Sequence, residues 1–133
     1  MILTYIDGGS RGNPGPAGFG VRVETAEGEL IEELHESIGV ATNNVAEYRG
    51  LLAALRYAID RGERDVTVRS DSELLVKQML GVYRVKHPGL QPLHAEARLL
   101  VAKLGRVKFQ HVRRELNTHA DRLANTAMDE ATG

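Results

Sequence analysis

"YIDGGSRGNPGPAGFGV", residues 5–21, sets one carboxylate, Asp7, at the end of a short apolar run and then thins the side chains to glycine at positions 8, 9, 12, 15, 18 and 20. Pro14 and Pro16 fall inside the same segment. Glycine relaxes the backbone and proline fixes φ and removes a donor, so the segment suits neither a helix nor an ordinary strand. The expectation is a strand over "ILTYI" (2–6), ended by Asp7, then a loop, then a strand that resumes at Gly18. Asp-Gly by itself is common hairpin chemistry. Asp7 acquires chemical meaning only if the fold brings other carboxylates to it.

Working outward, "GFGVRVET" (18–25) and "GELIEELHESIGV" (28–40) alternate as strands, joined by a turn at "AEGE". The period then changes. In "TNNVAEYRGLLAALRYAIDRG", Leu51, Ala54, Leu55 and Ala58 recur at helical spacing, and Gly62 is a fitting stop. "RDVTVRSDS" returns to strand character, and "SELLVKQMLGVYRV" is expected to be helical at least to Leu80. "HPGLQP" (87–92) breaks the chain before the amphipathic helix "LHAEARLLVAKLG" (93–105). A strand "VKFQHVRR" (107–114) and a helix "NTHADRLANTAMDEA" (117–131), with Asn117 as its N-cap, complete the order βββαβααβα. That order describes an α/β domain, and with neither linker nor repeat, residues 1–133 read as one unit.

Composition narrows the function. An apolar fraction of 42% is ordinary for globular chains, so disorder is not the expectation. The absence of cysteine excludes a disulfide framework, thiolate zinc sites and a cysteine nucleophile. No apolar run reaches membrane-span length, and the chain opens on a strand-like run without a basic leader, so a cytoplasmic protein with no membrane partner is expected. A formal charge of −1 speaks against nucleic acid. That balance changes if four acids are committed to cations, because the 14 left would then be outnumbered by 17 bases.

Four carboxylates invite that treatment. Asp7 and Asp71 end the first and fourth strands, and Asp121 sits on the shoulder of the last helix's stripe of Ala120, Leu123, Ala124, Ala127 and Met128. Asp7 could serve a turn, Asp71 with Ser72 a helix cap, and Asp121 a helix dipole. Glu47 is harder to set aside, because it projects onto the apolar stripe that should face the sheet. A carboxylate there costs several kcal/mol unless paired, protonated or bound to a cation. If the first and fourth strands are parallel neighbours, Asp7 and Asp71 lie together at their C-terminal ends, where open α/β sheets bind ligands. Oxygen-only ligands suit Mg²⁺ or Mn²⁺, and two such ions about 4 Å apart are a device for in-line phosphodiester displacement.

At this point the chain resembles the type 1 ribonucleases H, which cut the RNA strand of RNA/DNA hybrids. The matching stretches are "YIDGGSRGNPGPAGFG", "ATNNVAEYRGLLAAL", "VRSDSELLVKQM" and "RRELNTHADRLAN", in the family's order over nearly the whole length. The resemblance implies a five-stranded mixed sheet, its first three strands antiparallel, with the first strand central beside the fourth and helices on both faces. It implies metal ligation by Asp7, Glu47, Asp71 and Asp121, two Mg²⁺ ions per site with Mn²⁺ as substitute, and Asp7 as the bridging ligand. The implied reaction is hydrolysis leaving 5′-phosphate and 3′-hydroxyl ends, by a monomer with no obligate protein partner. It further implies substrate contacts by Gly9, Asn13, Thr42, Asn43 and Asn44: a DNA phosphate for Thr42 and the minor groove for the asparagines that follow it. The glycines after Asp7 are then expected to clear room for a nucleic-acid backbone, and Asn43 or Asn44 is expected to share in capping the helix. A P-loop and a dinucleotide fingerprint fail, because no Gly-Lys-Ser/Thr follows and the next segment is a strand.

The chain departs from many relatives in two places. The long basic insertion after the second helix is reduced to Arg84, Lys86 and His87. The loop before Asp121 is short and resembles a compact branch in which Arg114 stands where others use a histidine; His119 and His111 are not expected in that role. Two other classes remain open on the sequence: a non-catalytic module that binds hybrid or double-stranded RNA, and an exonuclease on the same general fold.

Overall fold

The computed structural model describes residues 1–132. Five strands form one sheet in the order β3-β2-β1-β4-β5. They are β1 (Ile2–Ser10), β2 (Gly15–Thr25), β3 (Leu30–Ala41), β4 (Asp65–Ser70) and β5 (Arg106–His111). β1, β2 and β3 pair antiparallel, whereas β4 runs parallel to both β1 and β5. The helices are α1 (Asn43–Asp60), α2 (Glu73–Met79), α3 (Gln91–Leu104) and α4 (Thr118–Thr132), with a 3₁₀ turn at Arg114–Leu116.

The main core lies between the sheet and α1 with α3. Ile6, Val66 and Val68 from the strands meet Leu51, Leu52, Leu55 and Leu104, all fully buried or nearly so. On α4, Ala120, Leu123, Ala124, Ala127 and Met128 are buried, as their spacing requires, and this helix packs chiefly on β2 with β1 and β3. The sheet therefore carries helices on both faces.

The glycine-rich segment is mostly strand, which corrects the sequence reading. β1 does not end at Asp7. Asp7, Gly8, Gly9 and Ser10 pair with Gly20, Phe19, Gly18 and Ala17, leaving only residues 11–14 as the hairpin tip. Close helix packing explains the missing side chains. A Cβ on Gly8 would stand 2.4 Å from the Ala46 backbone of α1, and one on Gly20 would stand 2.4 Å from Leu123 Cβ and 2.6 Å from Ala120 O of α4. The hairpin tip is where the backbone itself needs freedom, at Gly12 (φ 97°) and Asn13 (φ 25°).

Other boundaries also move. α2 stops at Met79, with Leu80 as its C-cap and Gly81 beyond in the left-handed region. α3 starts at Gln91 because Pro92 falls in the first turn, where no amide partner is lost. β5 stops at His111, so Arg114 lies in the 3₁₀ turn and not on a strand. Asn117 does not cap α4 with its side chain, which instead turns into the interior and donates to Ile6 O of β1.

Candidate active site

The parallel register sets the first two acids side by side. Ile6 is partnered with Ser70, so Asp7 and Asp71 follow at neighbouring positions, one at 8% exposure and the other half-buried. Asp7 Oδ1 accepts from the Gly8 amide at 3.0 Å. Glu47 arrives from the second turn of α1, whose start is fixed by Thr42: its Oγ1 accepts from Val45 N at 3.2 Å. Thr42, and not Asn43 or Asn44, is therefore the cap. One carboxylate oxygen from each of Asp7, Glu47 and Asp71 lies within 4.8 Å of the others.

The electrostatics of the three follow from crowding. None has an ion-pair partner among the described residues, and Glu47 Oε2 is enclosed without any hydrogen-bond partner. Burial, then the charges of Asp71 and Asp121, push Asp7 up to about 7. Burial and the charges of Asp7 and Asp71 push Glu47 well above the carboxylate range. Burial also raises Asp71, while the Arg114 guanidinium and the Asn117 amide oppose it. Each acid thus waits for a proton or a cation. An acceptor-only cluster with one enclosed, unpartnered oxygen fits a hard divalent ion.

Asp121, from the first turn of α4, faces the same cleft but stands outside the tight group of three. Its Oδ1 is 3.9 Å from Arg114 Nη2, a loose pair with the arginine 82% exposed. The four acids and Arg114 line one open cleft of about 870 Å³. Other side chains of that wall include His111, Glu115 and Arg11. His111 puts Nε2 3.3 Å from Asp71 O, Glu115 enters from the 3₁₀ turn, and Arg11 reaches over from the hairpin tip. Arg11 donates to Asn125 Oδ1 (3.2 Å) and Asp129 Oδ1 (2.8 Å), which fastens the tip to α4. His111 had a legible signal: it ends the strand beside the one leading into Asp71. His119 instead borders a separate small cavity with Tyr5 and Glu24.

The residues expected to touch substrate divide. Gly9 and Asn43 line the cleft, whereas Asn13, Thr42 and Asn44 sit outside its wall, around the start of α1 and the hairpin tip. Asn13 and Asn43 already have internal work. Asn43 Oδ1 accepts from Ser10 N (2.8 Å), and Asn13 Oδ1 accepts from Asn43 N (2.9 Å), locking the hairpin to α1. The amide NH₂ of each points to no protein acceptor among the described hydrogen bonds. Of the glycines, Gly9 is the one whose added Cβ would meet only the flexible end of Met128, at 3.0 Å.

Comparison with known proteins places this geometry. A model of the family "Reverse transcriptase-like" matches residues 5–127. Ribonuclease HI of Halobacterium salinarum is 43% identical over 130 residues, 98% of this chain. The structure of LC11-RNase H1 in complex with an RNA/DNA hybrid superposes with a TM-score of 0.95 at 43% identity, covering 100% of both chains. The chain belongs to the type 1 ribonuclease H family. The N-terminal RNase H domain of Rv2228c from Mycobacterium tuberculosis is equally similar, with a TM-score of 0.95 and 49% identity over 98% of this chain and 95% of that one. This ribonuclease H-type chain spans 36% of the length of the full mycobacterial Bifunctional protein Rv2228c, to which it is 52% identical, and 65% of the halobacterial enzyme. No helix among the described residues is long and apolar enough to cross a membrane.

Proposed function

We propose that residues 1–133 act as a single catalytic domain, a cytoplasmic, monomeric endonuclease that hydrolyses the RNA strand of RNA/DNA hybrids and leaves 5′-phosphate and 3′-hydroxyl ends. The observation that carries the reading is the close group of Asp7, Glu47 and Asp71, none of which has an ion-pair partner among the described residues. A binding module gains nothing from uncompensated acids facing phosphates, whereas a metal-dependent nuclease requires them.

Asp7, Glu47, Asp71 and Asp121 would hold divalent ions, Mg²⁺ or Mn²⁺, with Asp7 the acid suited to be shared, because its charge acts on Glu47 and those of Asp71 and Asp121 act on it. When bound, the ions supply Lewis-acid stabilisation of the phosphodiester and a water nucleophile. The protein's own groups do the positioning. The hairpin, fixed to α1 by Asn13 and Asn43 and to α4 by Arg11, holds Gly9 at the cleft wall, and its missing side chain leaves room for a sugar-phosphate backbone. The NH₂ groups of Asn13, Asn43 and Asn44, which donate to no protein acceptor among the described residues, suit the minor groove of an A-like hybrid, where 2′-hydroxyls mark the RNA strand, and Thr42 suits a phosphate of the DNA strand. Arg114, exposed and loosely held, is a cation able to turn toward phosphate or product at the open side of the cleft.

The test is a labelled RNA/DNA hybrid incubated beside matched RNA/RNA and DNA/DNA duplexes, with Mg²⁺ and with EDTA. Cleavage confined to the hybrid's RNA strand and abolished by EDTA is expected. Binding without cleavage in Mg²⁺ and Mn²⁺ would overturn the enzymatic reading. Failure to cut a circular or end-blocked hybrid would assign an exonuclease instead.

A further inference from the structure

Besides Glu47 Oε2, Oδ1 of Asn117 is the other enclosed side-chain atom with no hydrogen-bond partner among the described residues. Asn117 is 1% exposed, one residue before α4 and four before Asp121. A buried asparagine with half of its amide idle is costly and needs a reason. Its other bonds supply one. Nδ2 donates to Ile6 O at 2.9 Å, the carbonyl that precedes Asp7 on β1. Its own carbonyl accepts from Asp121 N at 3.0 Å, and its own amide donates to Arg114 O at 2.9 Å. One residue therefore joins the strand carrying Asp7, the turn carrying Arg114 and the helix carrying Asp121.

We propose that Asn117 is a positioning residue for the acidic cluster, tying the first turn of α4 to β1 so that Asp121 is held at the distance from Asp7 and Asp71 that a shared cation requires. Asp121 stands outside the tight group of three, in the first turn of a helix whose other polar ties, Arg122 to Glu33, Arg11 to Asn125 and Asp129, Ser37 to Ala127 and His35 to Glu130, all lie C-terminal to it, so its own advance along the sheet is set at the helix start. The Asn117–Ile6 bond fixes that advance, because it is directional and comes from the residue next to the helix start. The idle Oδ1 remains as an acceptor at the back of the cluster, suited to a water or hydroxyl that donates. The inference rests on the four acids forming a metal site.

Thr4→Val provides the control, since it removes another buried side-chain bond from β1, Thr4 Oγ1 to Thr67 O at 3.2 Å, away from the acids. Thermal melts of wild type, Asn117→Ala and Thr4→Val are followed across a Mn²⁺ titration, with kcat and KM measured on a labelled hybrid. Both variants should melt lower than wild type without metal. Only Asn117→Ala should need about tenfold or more Mn²⁺ for half of its thermal gain, with kcat down about tenfold and KM within about twofold. A Mn²⁺ midpoint and kcat for Asn117→Ala equal to those of Thr4→Val would reduce Asn117 to a structural tie and overturn the inference alone. A wild-type protein that gains nothing from Mn²⁺ would overturn the metal site with it. Should Asn117→Ala not be recovered folded, Asn117→Ser is judged by the same midpoint and kcat.

Discussion

Replacing Asp7 with Asn should stabilise the metal-free protein, and the effect should appear only as pH rises. In the folded chain Asp7 is pushed from an ordinary value of 3.8 to about 7, by burial and then by Asp71 and Asp121. Below about pH 4 both folded and unfolded chains carry the proton, and nothing distinguishes them. Between about pH 4 and pH 7 the unfolded chain has released it while the folded chain retains it, so stability falls with rising pH and levels off above about pH 7. The span from 3.8 to about 7, at about 1.4 kcal/mol per tenfold change in proton affinity, is about 4 kcal/mol. Burying the polar Asn amide offsets part of it, which leaves a gain for Asp7→Asn of about 1.4 to 4 kcal/mol at pH 8 and about none at pH 4. Urea melts of metal-stripped protein should show this as a midpoint shift on the order of 1 M. Saturating Mg²⁺ should reverse the order, because only wild type gains from the ion. A gain absent at pH 8, or equal at pH 4 and pH 8, would falsify the crowding of these acids.

The same Asp7→Asn protein should retain less than about a tenth of wild-type turnover with Mg²⁺ present, a loss of more than about 1.4 kcal/mol of transition-state stabilisation. Glu47→Gln should also raise the melting temperature in EDTA and lower it relative to wild type in excess Mg²⁺; a drop in EDTA would reveal a protein cation at Glu47. Gly20→Ala should destabilise by roughly 1–3 kcal/mol, since its Cβ meets the α4 backbone, whereas Gly9→Ala should fold normally and lose hybrid affinity. Arg84→Ala combined with Lys86→Ala should flatten the slope of log K against log salt by nearly two units if both touch phosphate. That series is run in Ca²⁺ on the expectation of binding without cleavage, and an unchanged slope would assign the loop to solvent.

The strongest sequence signals were those of composition and period. Alternation gave β2 and β3, the 3.6-residue stripe gave α1 and α4, and one carboxylate out of place on an apolar stripe pointed to Glu47. Local chemistry was misread where a side chain's partner is distant in the chain. Asn117 has the composition of a helix cap, but its amide is taken by Ile6, over a hundred positions away. Asn13 and Asn43, expected at the substrate, have in addition an internal role that local sequence does not show: their carbonyl oxygens bond the hairpin to α1.

The sequence by itself determined the element order and the apolar faces, because each is written in residue type and spacing over a few turns, and its family motifs singled out the four acids as candidates. It could not decide what the glycines after Asp7 are for. Backbone freedom and close approach call for the same residue, and only the packed helices distinguish them: Gly8 makes room for α1, Gly20 for α4, and Gly9, at the cleft wall, for the Met128 side chain. Nor could it decide how close the acids stand. That follows from the parallel β1–β4 register and the reach of α1, which set Asp7, Glu47 and Asp71 within 4.8 Å and leave Asp121 at the rim beside Arg114. Charge repulsion at that distance is a property of the assembled sheet and helices, since no two of these acids are near one another in the chain.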